Sequence, residues 1–107
     1  MFMQDEITYK LLKSIEENPK QSQRDLSKSL GISLGKLNYC LRALVDRGMV
    51  KAQNFSRNPT KSDYLYLLTP MGVEEKGKVT LRFLRRKMQE YEQLKQDISE
   101  LQAEAKR

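Results

Sequence analysis

Residues 23–48, QRDLSKSLGISLGKLNYCLRALVDRG, constrain this chain more than any other stretch. Leu26 and Leu30 stand four apart, on one face of a short helix, and Gly31 follows where a residue of positive φ stops a helix at little steric cost. Ile32 plugs the turn. Ser33 can then cap a second helix by accepting from its free N–H groups, and Leu37, Cys40, Leu41, Leu44 and Val45 recur at three- and four-residue intervals along its inward side. Gly48 closes that helix. Two short helices joined by a turn containing glycine make a helix-turn-helix, whose second helix is the one shaped to enter a major groove. With Leu37 facing the core, Gly35, Tyr39, Arg42, Ala43 and Asp46 fall on the far side and Lys36 and Asn38 on its flanks.

Charge agrees with that reading. Lys and Arg together number 20 against 14 acids, a net +6 over 107 residues. The excess is concentrated: Lys20, Arg24, Lys28, Lys36, Arg42, Arg47, Lys51, Arg57 and Lys61 share their stretch with only Asp25 and Asp46. A surface built to meet a polyanion is expected there. A chain this short has room for one core domain and an appendage, and none for a large enclosed active site.

Enzymatic chemistry finds little support. With no histidine and a single cysteine, the ligand sets common for zinc are missing, and so is a His-based triad. Acids such as Glu16 with Glu17 and Glu74 with Glu75 are adjacent at helix ends and do not converge as an acid and base pair would. No cofactor is expected. Cys40, on the inward side of its helix, reads as a small core residue. No signal peptide or long apolar run is present, so a cytoplasmic protein without a membrane partner is expected.

Upstream of the motif, Ile7, Leu11, Leu12 and Ile15 form an amphipathic stripe, predicting a helix over residues 5–18 that ends at Asn18 and Pro19. Phe2 can pack at its start. This helix supplies the apolar platform that two short helices cannot provide for themselves. Downstream, residues 49–55 alternate as a half-buried strand does, residues 56–63 form a polar loop, and residues 64–69 make a second strand. Three helices followed by a hairpin is the winged-helix order. Its tip, with Arg57, Asn58 and Lys61, is a candidate for phosphate or minor-groove contact.

Thr69 and Pro70 open the last element, a hydroxyl at the N-cap and proline at the first helical position. The pattern then predicts one helix to the end of the chain, about 50 Å long at about 1.5 Å per residue. Its first two turns, through Val73 and Val79, are expected to cover the hairpin. Leu81, Leu84, Met88, Tyr91, Leu94, Ile98, Leu101 and Ala105 continue as a narrow stripe close to the coiled-coil period. A partner helix is implied, most simply from a second copy. The cluster Lys76, Lys78, Arg82, Arg85, Arg86 and Lys87 can lie near DNA or pair with the acidic tail of an antiparallel partner helix. The expected fold is therefore mainly α with a small β-hairpin: a winged helix-turn-helix over residues 1–70, then a coiled-coil-like dimerisation helix over 71–107.

Several stretches carry a resemblance. SQRDLSKSLGIS, LNYCLRALVDRGMVK, QNF, YLYLLTPMGVEEK and RFLRRKMQEYEQLK resemble the multiple-antibiotic-resistance-regulator (MarR) family of bacterial winged-helix repressors, and within it the small subgroup associated with extracellular polysaccharide gene clusters. The resemblance spans nearly the whole chain, with LNYCL, QNF and the FLRRKMQEYEQLK helix its most specific parts. It implies transcriptional control by binding double-stranded DNA as a homodimer in the bacterial cytoplasm, at the nucleoid, with exopolysaccharide biosynthesis as the target. Wider-family members build a ligand pocket between a two-ended helical dimerisation domain and the winged helix. With one C-terminal helix and almost nothing before the first core helix, such an effector pocket is not expected here. Ser27 takes a position where alanine is common.

On the helix over residues 33–47, Ser33, Gly35, Lys36, Asn38, Tyr39 and Arg42 are the candidate DNA-reading residues. Arg42 suits a bidentate guanine contact, Asn38 an adenine, and Tyr39 a thymine methyl or a phosphate. Lys36, Arg24, Lys28, Arg57 and Lys61 suit phosphates. The other reading from residues alone is an interaction adaptor, whose long helix docks a different protein.

Overall fold

The computed structural model describes residues 4–54 and 64–107. The sequence expectations for Phe2 and for the hairpin tip, with Arg57, Asn58 and Lys61, lie outside the described residues. Helix α1 (Asp5–Glu17) begins with two acids, Asp5 and Glu6, that suit the positive end of its dipole, and buries Thr8, Leu11, Leu12 and Ile15. It stops at Glu17, with Asn18 as an extended C-cap, because Pro19 disfavours helical backbone in the residue before it.

Helix α2 (Gln23–Leu30) starts with a device that the sequence reading passed over. The Ser22 hydroxyl accepts from the Asp25 backbone N–H at 3.1 Å while the Ser22 N–H donates to the Asp25 carboxylate at 3.2 Å. Two groups that a helix start leaves unpaired are thereby satisfied reciprocally. Gly31 ends α2 with φ +69°, a left-handed conformation in which a Cβ is strained. Helix α3 (Leu34–Asp46) follows, capped by the Ser33 hydroxyl accepting from Lys36 N–H at 3.1 Å.

Leu37, Cys40, Leu41 and Leu44 of α3 meet Leu11, Leu12, Ile15 and Leu26 in one core, closed by Val50 and Tyr66. Val45 departs from expectation, with 37% of its surface exposed. It lies one residue, about 100°, beyond Leu44 and so at the margin of the inward arc. Burial pushes the Cys40 thiol up from its ordinary pKa, as suits a core residue.

Strands β1 (Val50–Asn54) and β2 (Tyr64–Leu68) pair antiparallel, with Val50 opposite Leu68 and Ala52 opposite Tyr66. The winged-helix order is thus realised. The other edge of β2 is tied down where the Tyr66 N–H donates to the Pro19 carbonyl at 3.0 Å.

Helix α4 (Pro70–Ala105) leaves the hairpin at a tight junction. Thr69 Oγ1 donates to the Gly48 carbonyl and accepts from Gly72 N–H, while the Thr69 N–H donates to the Met49 carbonyl at 3.1 Å. Gly72 has to be glycine here: a Cβ would stand 2.0 Å from the Met49 carbonyl oxygen, which is backbone and cannot step aside.

The first turns of α4 do not serve mainly as a lid on the hairpin. They pack most extensively along α1. Val79 is buried, whereas Val73 is 53% exposed, because six residues place the two about 240° apart around the helix. Phe83 stacks on Tyr9 with ring centroids 5.3 Å apart, Lys76 pairs with Glu16, and Arg82 grips Asp5 at 3.1 and 3.3 Å. Two cations assigned on sequence grounds to DNA or to a partner's tail are therefore occupied by acids of α1. Beyond Phe83 every residue of α4 is exposed, and the helix stretches the molecule to 70 Å.

Gly72→Ala is expected to lower stability by about 1–3 kcal/mol, the range of an overpacked site, read from the urea midpoint. Hydrogen bonds from Ser22, its backbone N–H foremost, hold the Asp25 carboxyl below its ordinary pKa. A depressed carboxylate stabilises the fold above its unfolded pKa, and the contribution fades as pH falls through the lower folded value. Asp25→Asn should therefore flatten the loss of stability as pH falls through and below the ordinary carboxylate range, measured by urea titrations at a series of acidic pH values.

Candidate nucleic-acid interface

The outer face of α3 collects its polar residues into one open depression lined by Gly35, Asn38, Tyr39, Arg42, Ala43, Asp46 and Arg47. Tyr39 is 52% exposed and Arg42 is exposed beside it, so the face offers an aromatic ring next to a guanidinium. Gly35 leaves the first turn without a side chain, which lets another surface come close to the backbone. Arg47 belongs to the basic stretch expected to meet a polyanion but is not among the individual contact residues that the sequence singles out. It caps the C-terminus of α3 and reaches the same depression, a position readable from its spacing of four from Ala43.

Two expected contact residues already carry structural duties. The Ser33 hydroxyl caps α3, so its oxygen is engaged with Lys36 N–H. The Asn38 side-chain N–H donates to Gln23 Oε1 at 3.2 Å, and Gln23 Nε2 donates to the Tyr66 hydroxyl at 3.4 Å. This relay ties α3 to α2 and then to the wing strand. It fixes the orientation of the Asn38 amide on the outer flank of α3.

The electrostatics separate the molecule into two regions. Every ion pair among the described residues joins groups on α1 and α4: Lys10 with Glu6, Lys76 with Glu16, Lys78 with Glu74, Arg82 with Asp5 and Glu75, Lys87 with Glu90, and Lys95 with Glu92. By contrast Arg24, Lys28, Lys36, Arg42, Arg47 and Lys51 are all exposed and enter no ion pair among the described residues. Of the two acids in that region, Asp25 is taken up in the α2 capping box and Asp46 sits on the last turn of α3. Cations that enter no ion pair among the described residues, grouped around a protruding helix, give that face a positive field of the kind that attracts a polyanion.

Among the described residues no cluster of His, Cys, Asp and Glu could hold a metal ion, and no helix is long and apolar enough to cross a membrane. The apolar stripe on α4 lies open: Leu81, Leu84, Met88, Tyr91, Leu94, Ile98 and Leu101 are each 46% to 63% exposed.

Residues 4–51 match the family described as winged helix-turn-helix DNA-binding. Among solved structures, apo MarR from E. coli is similar at 29% identity, covering 67% of this chain and 52% of that one, with a TM-score of 0.56. The PcaV transcriptional regulator from Streptomyces coelicolor, in complex with its natural ligand, is similar at 22% identity, covering 73% and 54%, with a TM-score of 0.60. The transcriptional repressor CouR, bound to a 23-mer DNA duplex, is similar at 23% identity, covering 67% and 49%, with a TM-score of 0.54. The chain spans about half the length of these structures, and the likeness to PcaV and CouR is one of fold. No curated protein sequence is similar enough to register as a match. The chain carries a winged helix-turn-helix of the kind found in MarR-type regulators.

Proposed function

We propose that this chain is a MarR-type transcriptional repressor that binds duplex DNA as a homodimer, within the bacterial cytoplasm, at operators of exopolysaccharide biosynthesis genes. The observation that carries the DNA reading is the segregation of charge: among the described residues the cations of α1 and α4 are largely paired, while those on α2, α3 and β1 enter no ion pair and lie around the exposed face of α3. The likeness of fold to CouR, a repressor bound to a DNA duplex, supports it. The exopolysaccharide target rests on the sequence resemblance alone.

In this reading α3 enters the major groove, with Arg42 and Asn38 reading base edges and Tyr39 contacting a thymine methyl or a phosphate. Ser33, Gly35 and Lys36 bring the N-terminal end of α3 to the duplex. Arg24 and Lys28 hold phosphates from α2, and Arg57, Asn58 and Lys61 do so from the wing. Residues 1–70 serve as the DNA-binding unit and 71–107 as the dimerising one. Two recognition helices then meet half-sites about 10 to 10.5 bp apart, or a multiple of that.

Genome-wide footprinting of the purified protein identifies the operator and tests the exopolysaccharide target. On that operator, Arg42→Ala should cost roughly 1–3 kcal/mol and relax preference at one position, whereas Lys61→Ala should weaken operator and random duplex alike and lower the salt slope by about one. Fluorescence anisotropy at several salt concentrations separates the two, and an equal loss on both duplexes for Arg42→Ala removes Arg42 from base reading. Truncation after Leu84 keeps the turns of α4 packed on α1 and removes most of the stripe. It should give a monomer by light scattering with much weaker operator binding, while an unchanged dimer moves the interface to the winged helix.

A further inference from the structure

The stripe on α4 has an internal symmetry. Counted outward from Tyr91, its large apolar residues fall at intervals of three, four and three in both directions: Met88, Leu84 and Leu81 on one side, Leu94, Ile98 and Leu101 on the other. We propose that α4 pairs antiparallel with α4 of a second copy, about a twofold axis through Tyr91. This rests on the homodimer reading and specifies its geometry. The axis sets Tyr91 against itself, Met88 against Leu94, Leu84 against Ile98, and Leu81 against Leu101. An antiparallel self-pair needs a stripe that reads the same from both ends. A parallel pair has no such requirement.

Charge selects the same orientation. Residues 78–90 hold five cations and one acid, and residues 92–104 hold four acids and one cation. The antiparallel arrangement lays one segment along the other, while a parallel one sets cations beside cations and acids beside acids. Arg85 and Arg86, exposed on the basic segment, enter no ion pair within the chain among the described residues. The body of the same chain cannot cover the stripe, since α4 is exposed throughout from Leu84 onward. Contiguous apolar surface beyond a few hundred Å² is rare on a monomer and marks an interface.

The geometry also bears on spacing. Val79, where α4 is anchored in the body, lies twelve residues before Tyr91. That is about 18 Å of helix, so the two anchors stand about 36 Å apart along the pair. One turn of duplex between half-sites is about 34–36 Å.

Disulfide trapping in the full-length chain with Cys40→Ala as background tests the arrangement. Leu84→Cys mixed with Ile98→Cys should form a cross-linked heterodimer, Tyr91→Cys should cross-link with itself, and Leu84→Cys alone should stay largely uncross-linked. Efficient self-linking of Leu84→Cys, with little Leu84 to Ile98 linkage, overturns the antiparallel pairing and leaves the dimer standing. Spin labels at Lys106→Cys supply a second readout: the tails lie about 45 Å apart if antiparallel and about 10 Å apart if parallel. A monomer by light scattering of the unmodified chain overturns the dimer itself and this pairing with it.

Discussion

The junction between Gly48, Met49, Thr69 and Gly72 is the constraint on which the rest of the molecule depends. Within it the end of α3, both ends of the hairpin and the start of α4 share hydrogen bonds: Met49 N–H to the Leu44 carbonyl, Thr69 N–H to the Met49 carbonyl, and Thr69 Oγ1 to the Gly48 carbonyl. Gly72 permits the approach by having no Cβ. Because one knot holds all three elements, the direction in which α4 leaves the body is fixed relative to α3. Any spacing imposed on two copies by α4 is thereby passed on to the two α3 helices rather than lost in a flexible link.

The second organising feature is how the charges are spent. α4 lies along α1 through Val79 and the Tyr9–Phe83 stack, and the Lys76–Glu16 and Arg82–Asp5 pairs sit at the surface of that contact. Such exposed pairs each contribute little to stability, roughly 0–1 kcal/mol. Their larger consequence is where they leave charge unbalanced. With Asp5 and Glu16 of α1 engaged by α4, the cations of α2 and α3 enter no ion pair among the described residues, and positive charge is left outward around the exposed face of α3.

Much of this was legible beforehand because it follows from local periodicity and capping chemistry. Leu26, Leu37, Cys40, Leu41 and Leu44 are buried as their spacing requires, and Gly31, Ser33, Thr69 and Pro70 punctuate the helices as their backbone and hydroxyl chemistry dictate. What was misjudged depends on distances across the fold. Val45 and Val73 are apolar yet stand at the margins of their helices' buried arcs, where a three-to-four periodicity does not discriminate. Lys76 and Arg82 meet acids 60 and 77 residues away, and no local pattern carries that information. The Asn38–Gln23–Tyr66 relay likewise joins three separate elements. Arg47 stands at the C-cap just past the last turn of α3, so the periodicity of the helix does not by itself assign it to the outer face.

The sequence by itself determined the order and type of the helices and strands, most of the core, that basic residues cluster from α2 to β1, and that the C-terminal helix carries an apolar stripe symmetric about Tyr91. Each is a property of neighbours within a few residues, and backbone geometry converts such spacing directly into faces. Only the tertiary structure decided that α4 lies on α1, that Gly72 is required by the Met49 carbonyl, and which cations are paired among the described residues. Those depend on groups brought together by packing, and packing is set by the whole core at once.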